Sequence, residues 1–269
     1  MAILQSIGAA LLAVAGASVG IWFGKRRSAW WVLGFVLPLL CIIAIGLPRR
    51  FYPLGFVMPF KWLVAGRIEF ALVGFFGVML MFTPIVRLPD RRRRVLVGAF
   101  VVIFALQAAV LLFLMPALQR SELAALTTTM SDGGVCRQST DYTCGPAAAV
   151  TALRHLNLPA EEAELALLAS TSRSTGTEPD VLAEALTSRY GSDGLHVEYR
   201  PFKDASELPA DRPTVALINY RFLVDHYVTV LGVEAGKVIV ADPLDGRISK
   251  LTPADFEREW RHVGLVLSR

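Results

Sequence analysis

Cys144, His226 and Asp242 have the types and order that thiol chemistry requires, and Gln138 precedes the cysteine by six positions. A thiol becomes a nucleophile when a neighbouring base or a helix N-terminus favours its thiolate. The base must be held in one tautomer by an acceptor, which a carboxylate provides. A side-chain amide close by can donate to the oxyanion that forms when a carbonyl is attacked. Together the four residues describe acyl transfer through a thioester. Peptide-bond hydrolysis is the leading reaction of that kind, and transpeptidation or amide hydrolysis of a small molecule uses the same set.

Each residue lies in a local sequence suited to its part. Gln138-Ser139-Thr140-Asp141-Tyr142-Thr143-Cys144-Gly145-Pro146-Ala147 leads into a helix expected over residues 144–156. Pro146 suits the first turn, and Thr143 or Asp141 can cap it. The helix dipole and the free amides there favour an anion at Cys144. A lone buried cysteine is the bland alternative. A Cys-Gly-Pro helix start with Gln138 upstream points instead to chemistry.

His226 opens a strand expected over residues 226–233, whose alternation puts His226, Val228 and Val230 on one face. Glu234-Ala235-Gly236 is a hairpin connection to a second strand at residues 237–241. Asp242 ends that strand, so the distal ends of the pair can bring its carboxylate to the imidazole. Other candidates fit less well. His155 lies inside the helix that Cys144 opens, His196 precedes an ordinary strand, and His262 starts the last one. Asp225 faces the opposite side from His226, and Asp245 lies beyond the turn with Gly246. Asp242-Pro243 is also a common turn start.

The remaining elements complete an α+β domain. Helices are expected at 159–170 and 178–190, strands at 197–201 and 214–219, a helix at 252–260 and a closing strand at 262–267. Residues 135–269 suffice for an independent core. No metal set is apparent, because one Cys, His and Asp lack a paired-ligand spacing. No cofactor is expected, and no phosphate-binding glycine loop or Walker motif is visible.

The first half has another character. Mean hydropathy over the 269 residues is +0.50. Residues 1–116 carry 12 Lys/Arg against Glu69 and Asp90, a balance of +10, whereas residues 117–269 balance at −6. The basic pI averages two unlike halves, and no basic helix with interleaved aromatics points to nucleic acid. Charge-free apolar runs at 3–23, 29–47, 70–86 and 95–115 describe an all-α transmembrane domain of about four helices in a lipid bilayer. The first run has no basic region before it, and Lys25-Arg26-Arg27 follows it, as expected of a retained span.

A polar linker is expected at 117–134, before the catalytic domain at 135–269. Lys25, Arg26 and Arg27, then Arg87 and Arg91 to Arg94, lie in the two loops that would be cytoplasmic. Four spans then put the C-terminal half on the extracytoplasmic, periplasmic face of an inner or cytoplasmic membrane. The apolar stretch 51–66, broken by Pro53, Pro59 and Lys61, is expected to lie along the interface or re-enter. Were it to span, that half would face the cytoplasm. Cys41 falls in the second span as packing filler. Cys136 and Cys144 admit a disulfide in an oxidising compartment, but only Cys144 has a helix start and partners, which favours one reactive thiol and one bystander.

Residues 135–269 resemble the papain-like cysteine peptidases that remove double-glycine leaders from bacteriocins and related secreted peptides. The matching elements are Gln138 with Cys144-Gly145-Pro146-Ala147, His226-Tyr227-Val228 and Val240-Ala241-Asp242-Pro243. Leu251-Thr252-Pro253-Ala254-Asp255-Phe256, through Trp260 and Gly264, matches the C-terminal end. The resemblance implies a papain-like α+β fold, a thiolate–imidazolium pair, no metal, and a peptide or protein precursor as substrate. Familiar members are N-terminal domains of exporter ATPases facing the cytoplasm. This chain departs from them in its C-terminal peptidase, in lacking an ATPase domain and in its loop charges. Degenerate relatives use the same groove as a non-catalytic peptide-binding module, an alternative that the intact Cys, His, Asp and Gln oppose.

Overall fold

The computed structural model describes residues 2–26, 29–64, 68–221 and 224–269. Arg27 and Arg67 of the charged loops, and the last two positions of the 51–66 stretch, lie outside the described residues. The chain divides into two compact units, Met1–Met115 and Pro116–Arg269.

The first unit is helical: α1 (Ala2–Gly24), α2 (Trp30–Arg50), α3 (Phe60–Val64), α4 (Ile68–Ile85) and most of α5 (Arg91–Leu118). Among the described residues three helices are long and apolar enough to cross a membrane, over Ser6–Gly24, Trp30–Pro48 and Ile68–Ile85. The expected fourth run lies within continuous α5. Gly16, Gly20 and Gly24 recur every four residues on α1, and a Cβ at any of them would collide with the α4 backbone at Phe75, Met79 or Thr83. Small residues at that spacing let two helix backbones approach closely where apolar burial offers no driving force. Thr83 then donates to the Gly34 carbonyl of α2 at 2.9 Å. Between α2 and α4 the interrupted stretch forms a 3₁₀ turn, Tyr52–Phe56, and the five-residue α3. At 1.5 Å per residue neither piece approaches a span.

The second unit sets helices against an antiparallel sheet. It contains α6 (Arg120–Ala124), a two-stranded ribbon of β1 (Thr129–Met130) and β2 (Cys136–Arg137), then α7 (Cys144–His155), α8 (Glu162–Leu168) and α9 (Pro179–Tyr190). Next come β3 (His196–Pro201), β4 (Thr214–Arg221), β5 (Val224–Glu234), β6 (Lys237–Asp242), β7 (Arg247–Leu251), α10 (Pro253–Glu259) and β8 (Trp260–Ser268). The six-stranded sheet has the order β3-β8-β4-β5-β6-β7, so the closing strand inserts between β3 and β4.

The expected helices and strands are present, with ends shifted by a few residues. Some stretches differ from expectation. The stretch read as a polar linker holds α6 and β1. A further edge strand, β7, follows the Asp242 turn. The expected helix at 159–170 is confined to Glu162–Leu168. Edge strand β7 is polar, with only Ile248 and Leu251 apolar, so alternation did not announce it.

The sheet is covered on both faces. Val228, Val230, Val238 and Val240 pack with Phe256 of α10 and Trp260 in one core. Burying a side chain of that kind contributes about 1.5–3 kcal/mol. On the other side Thr229 donates to the Ala148 carbonyl of α7 at 2.7 Å, and the Tyr227 hydroxyl to the Thr177 carbonyl at 2.9 Å. The first bond fixes where α7, and hence its first residue, lies on the sheet, and the second holds the loop before α9.

Candidate active site

Cys144 is the first residue of α7 and is half-buried. Gly145 is required next to it, because a Cβ there would stand 2.9 Å from the Thr177 side chain. Thr143 occupies the cap position but makes no capping bond. Its hydroxyl is engaged with the Thr140 backbone instead. The cap expected of Thr143 is therefore not made, and its hydroxyl leaves the amides at the start of the helix free of it.

His226 and Asp242 are brought together by strand register. Thr229 pairs with Ala241 across β5 and β6, so Asp242 stands one step further on, diagonal to His226. Ala235 and Gly236 both have positive φ, 47° and 73°, as a two-residue hairpin turn demands. His226 Nε2 donates to Asp242 Oδ1 at 2.7 Å. The carboxylate also accepts the Leu244 N–H at 2.8 Å, which fixes it against the ring.

The electrostatics follow from this geometry. Burial by itself pushes the His226 imidazolium down. Hydrogen bonds with Asp242 and with the Cys144 side chain outweigh it and raise its pKa from 6.5 to about 9. Burial likewise raises Asp242, and the bonds from His226 and the Leu244 amide reverse the sign and hold its carboxyl below the usual range. With Nε2 committed to Asp242, Nδ1 is the ring nitrogen left for the thiol.

Gln138 lies on the loop before Cys144. Its backbone N–H donates to the Pro243 carbonyl at 2.9 Å, joining this loop to the turn after Asp242. Its Nε2 donates to the Thr140 carbonyl at 2.8 Å, and its Oε1 is buried without a hydrogen-bond partner. One N–H of the amide is thus used locally, and the other is available.

The competing residues are accounted for. Asp225 pairs with Arg261 at 2.7 Å, and Asp245 accepts the Arg247 N–H within its turn. His155 closes α7, His196 begins β3, and His262 bends β8 with a φ of 55°. Cys136 is fully buried, its N–H bonded to Thr151 at 2.9 Å, and burial followed by the charge of Glu162 pushes its thiol up to about 12. Both thiols are free.

The sequence did not reveal Glu162. An acid in the first turn of a helix ordinarily does no more than complement the dipole. In the structure it is completely buried and accepts from Ser139 twice, from the N–H at 2.8 Å and the hydroxyl at 2.6 Å. Its own N–H is bonded to Thr128 Oγ1. A buried acid in an otherwise ordinary helix start carries no pattern by which to find it.

Helices on an antiparallel sheet, with a cysteine at a helix start beside a histidine–aspartate pair, define a cysteine-peptidase fold. The chain belongs to the peptidase C39 family, whose model matches residues 133–269. It is 33% identical over 127 residues to an uncharacterised protein of Methanothermobacter marburgensis, covering 47% of this chain and 83% of that one. A second relative, in Methanothermobacter thermautotrophicus, is 30% identical over 128 residues, covering 48% and 84%. Among solved structures it is similar to the peptidase domain of Streptococcus ComA, a bifunctional ABC transporter of a quorum-sensing pathway. That match has a TM-score of 0.41 and 22% identity over 49% of this chain and 95% of that one. It is also similar to a double-glycine-motif protease from an AMS/PCAT transporter in complex with the leader peptide. There the TM-score is 0.40 and the identity 17%, over 53% and 94% of the two chains.

Proposed function

We propose that this chain is a membrane-anchored cysteine endopeptidase that cleaves a peptide or protein precursor, double-glycine-type leaders included. The observation that carries the reading is the hydrogen bond of His226 to Asp242 through one ring nitrogen, with Cys144 at the start of α7 near enough to help raise the imidazole's pKa.

The chemistry then runs as follows. His226 holds the proton given up by Cys144, and Asp242 stabilises the imidazolium. The thiolate attacks the scissile carbonyl carbon, and the negative charge moves to the carbonyl oxygen. The free N–H of the Gln138 amide and the backbone N–H groups at the start of α7 donate to that oxyanion. Collapse expels the amine, which takes the proton from His226, and leaves a thioester on Cys144. A water attacks the thioester while His226 accepts its proton. The acid product departs, and the thiolate–imidazolium pair is restored.

The first unit anchors the enzyme in the bilayer through four spans, α5 supplying the fourth. The arginine-rich loops and the broken 51–66 stretch support an extracytoplasmic peptidase. Incubating the full chain in membranes with peptides that contain a Gly-Gly site tests the activity. Cleavage by the wild type and its loss in Cys144→Ala is the expected pair of results. Equal cleavage by both proteins would remove Cys144 from the reaction. For the orientation, a phosphatase fused after Arg269 should be active and a cytoplasm-only fluorescent reporter dark. Reversed signals would place the site in the cytoplasm.

A further inference from the structure

The segment between α5 and β1 does more than connect. Leu123 of α6 is 1% exposed and packs with Tyr142 and Ala166, with Leu126 and Leu167 against the same cluster. The Tyr142 hydroxyl donates to Glu122 Oε1 at 2.8 Å, and Arg173 meets the same oxygen at 3.1 Å. The buried Gln119 accepts the Arg173 N–H through Oε1 at 3.1 Å. Further along, the Thr127 carbonyl accepts the Ser139 hydroxyl at 3.0 Å, and Thr128 Oγ1 accepts the Glu162 N–H at 2.8 Å.

Every one of these contacts ends on the Gln138–Cys144 loop or on a residue that supports it. Tyr142 is two residues before the thiol. Ser139 follows Gln138 and is held from one side by Thr127 and from the other by Glu162. The segment lies before residue 133, where the family match begins.

We infer that residues 119–128 are a positioning brace for the oxyanion half of the site. Through Leu123, Glu122 and Thr127 they hold the loop that carries Gln138. The inference rests on the peptidase reading above. It also gives the continuous path from α5 into α6 a consequence: the residues that follow the last membrane helix set the geometry of the oxyanion donors. The nucleophile itself is seated by α7 on the sheet and does not depend on the brace. Loss of the brace should then impair carbonyl chemistry and spare simple alkylation, because a displacement of about 1 Å in a catalytic group costs up to ~100-fold.

The test compares two reagents on the full-length protein in membranes. Iodoacetamide forms a carbon–sulfur bond at Cys144 with departure of iodide and needs no oxyanion donor. A Gly-Gly chloromethyl ketone alkylates the same thiolate with departure of chloride, through an adduct whose oxyanion lies where Gln138 would donate. In Glu122→Ala and Leu123→Ala the ketone rate should fall about 10-fold or more. The iodoacetamide rate should stay within about 2-fold of wild type. Glu122→Gln keeps an oxygen acceptor for Tyr142 and should recover most of the loss. Tyr142→Phe, which removes a single hydroxyl and keeps the ring, should lower the ketone rate by about 3- to 10-fold and serves if the other variants fold poorly. Unchanged rates with both reagents, or equal falls with both, would overturn the brace. A wild type labelled by neither reagent at Cys144 would overturn the peptidase reading and the brace with it.

Discussion

The two halves of the site are held in different ways. His226 and Asp242 belong to a sheet buried on both faces, and their meeting follows from strand pairing and a two-residue turn. Gln138 and the approach to Cys144 belong to a loop whose place depends on side chains from elsewhere, Glu162 and Ser139 above all. Backbone ladders fix register over many residues at once, so the sheet half should tolerate single changes around it. The loop half depends on a few buried polar bonds and should fail when one is removed.

The largest effect expected is on the sheet side itself. His226→Ala should lower turnover as far as Cys144→Ala does, because members of one catalytic unit are strongly non-additive, and the double variant should be little worse than either. Asp242→Asn should cost less, since the carboxylate orients and stabilises and does not transfer a proton. Turnover measured on one cleavable peptide ranks the three. A double variant far slower than both singles would mean that the two residues act independently.

Gln138→Ala comes next. Loss of an oxyanion donor costs about 2.7–4 kcal/mol of transition-state stabilisation, seen in kcat with KM little changed. A variant with wild-type kcat would remove Gln138 from the oxyanion site. Glu162→Ala should act by a different route. It leaves the Ser139 N–H without its buried acceptor and the hydroxyl with only the Thr127 carbonyl, at about 1–3 kcal/mol of stability, and lowers kcat through the displaced loop. Thermal unfolding together with kcat checks this, and a fall in stability with kcat intact would separate Glu162 from the site. The smallest effect belongs to Cys136→Ala. Its thiol is buried and held far above neutral pH, so turnover and its response to reductant should both stay as in wild type. Loss of a reductant requirement in this variant would show that Cys136 pairs with Cys144.

The contrast between the halves also explains what the amino-acid sequence made legible. The cysteine at its helix start, and the histidine and aspartate at the ends of two hairpin strands, follow from periodicity and turn residues within 17 positions of chain. So do the order of helices and strands and the apolar runs of the first unit. Edge strand β7 escaped because its side chains are mostly polar. The docking of α6 and the burial of Glu162 escaped because each joins residues 20 to 54 positions apart through a few contacts, with no repeat to mark them. The expected Thr143 cap was misread for a related reason, since its hydroxyl serves the local Thr140 turn.

The direct test of the central claim is the pH dependence of Cys144 alkylation by iodoacetamide. The imidazolium of His226 is stabilised in the folded protein, so the stability that its charge contributes is fully present below pH 6.5. That contribution is lost as pH rises through about 9. The rate attributable to the ion pair should therefore hold through neutral pH and change again near pH 9 in the wild type. In Asp242→Asn, which removes the acceptor that raises the histidine, that second transition should move toward the ordinary histidine range. A single thiol titration, identical in wild type, Asp242→Asn and His226→Ala, would contradict the pairing of Cys144 with His226.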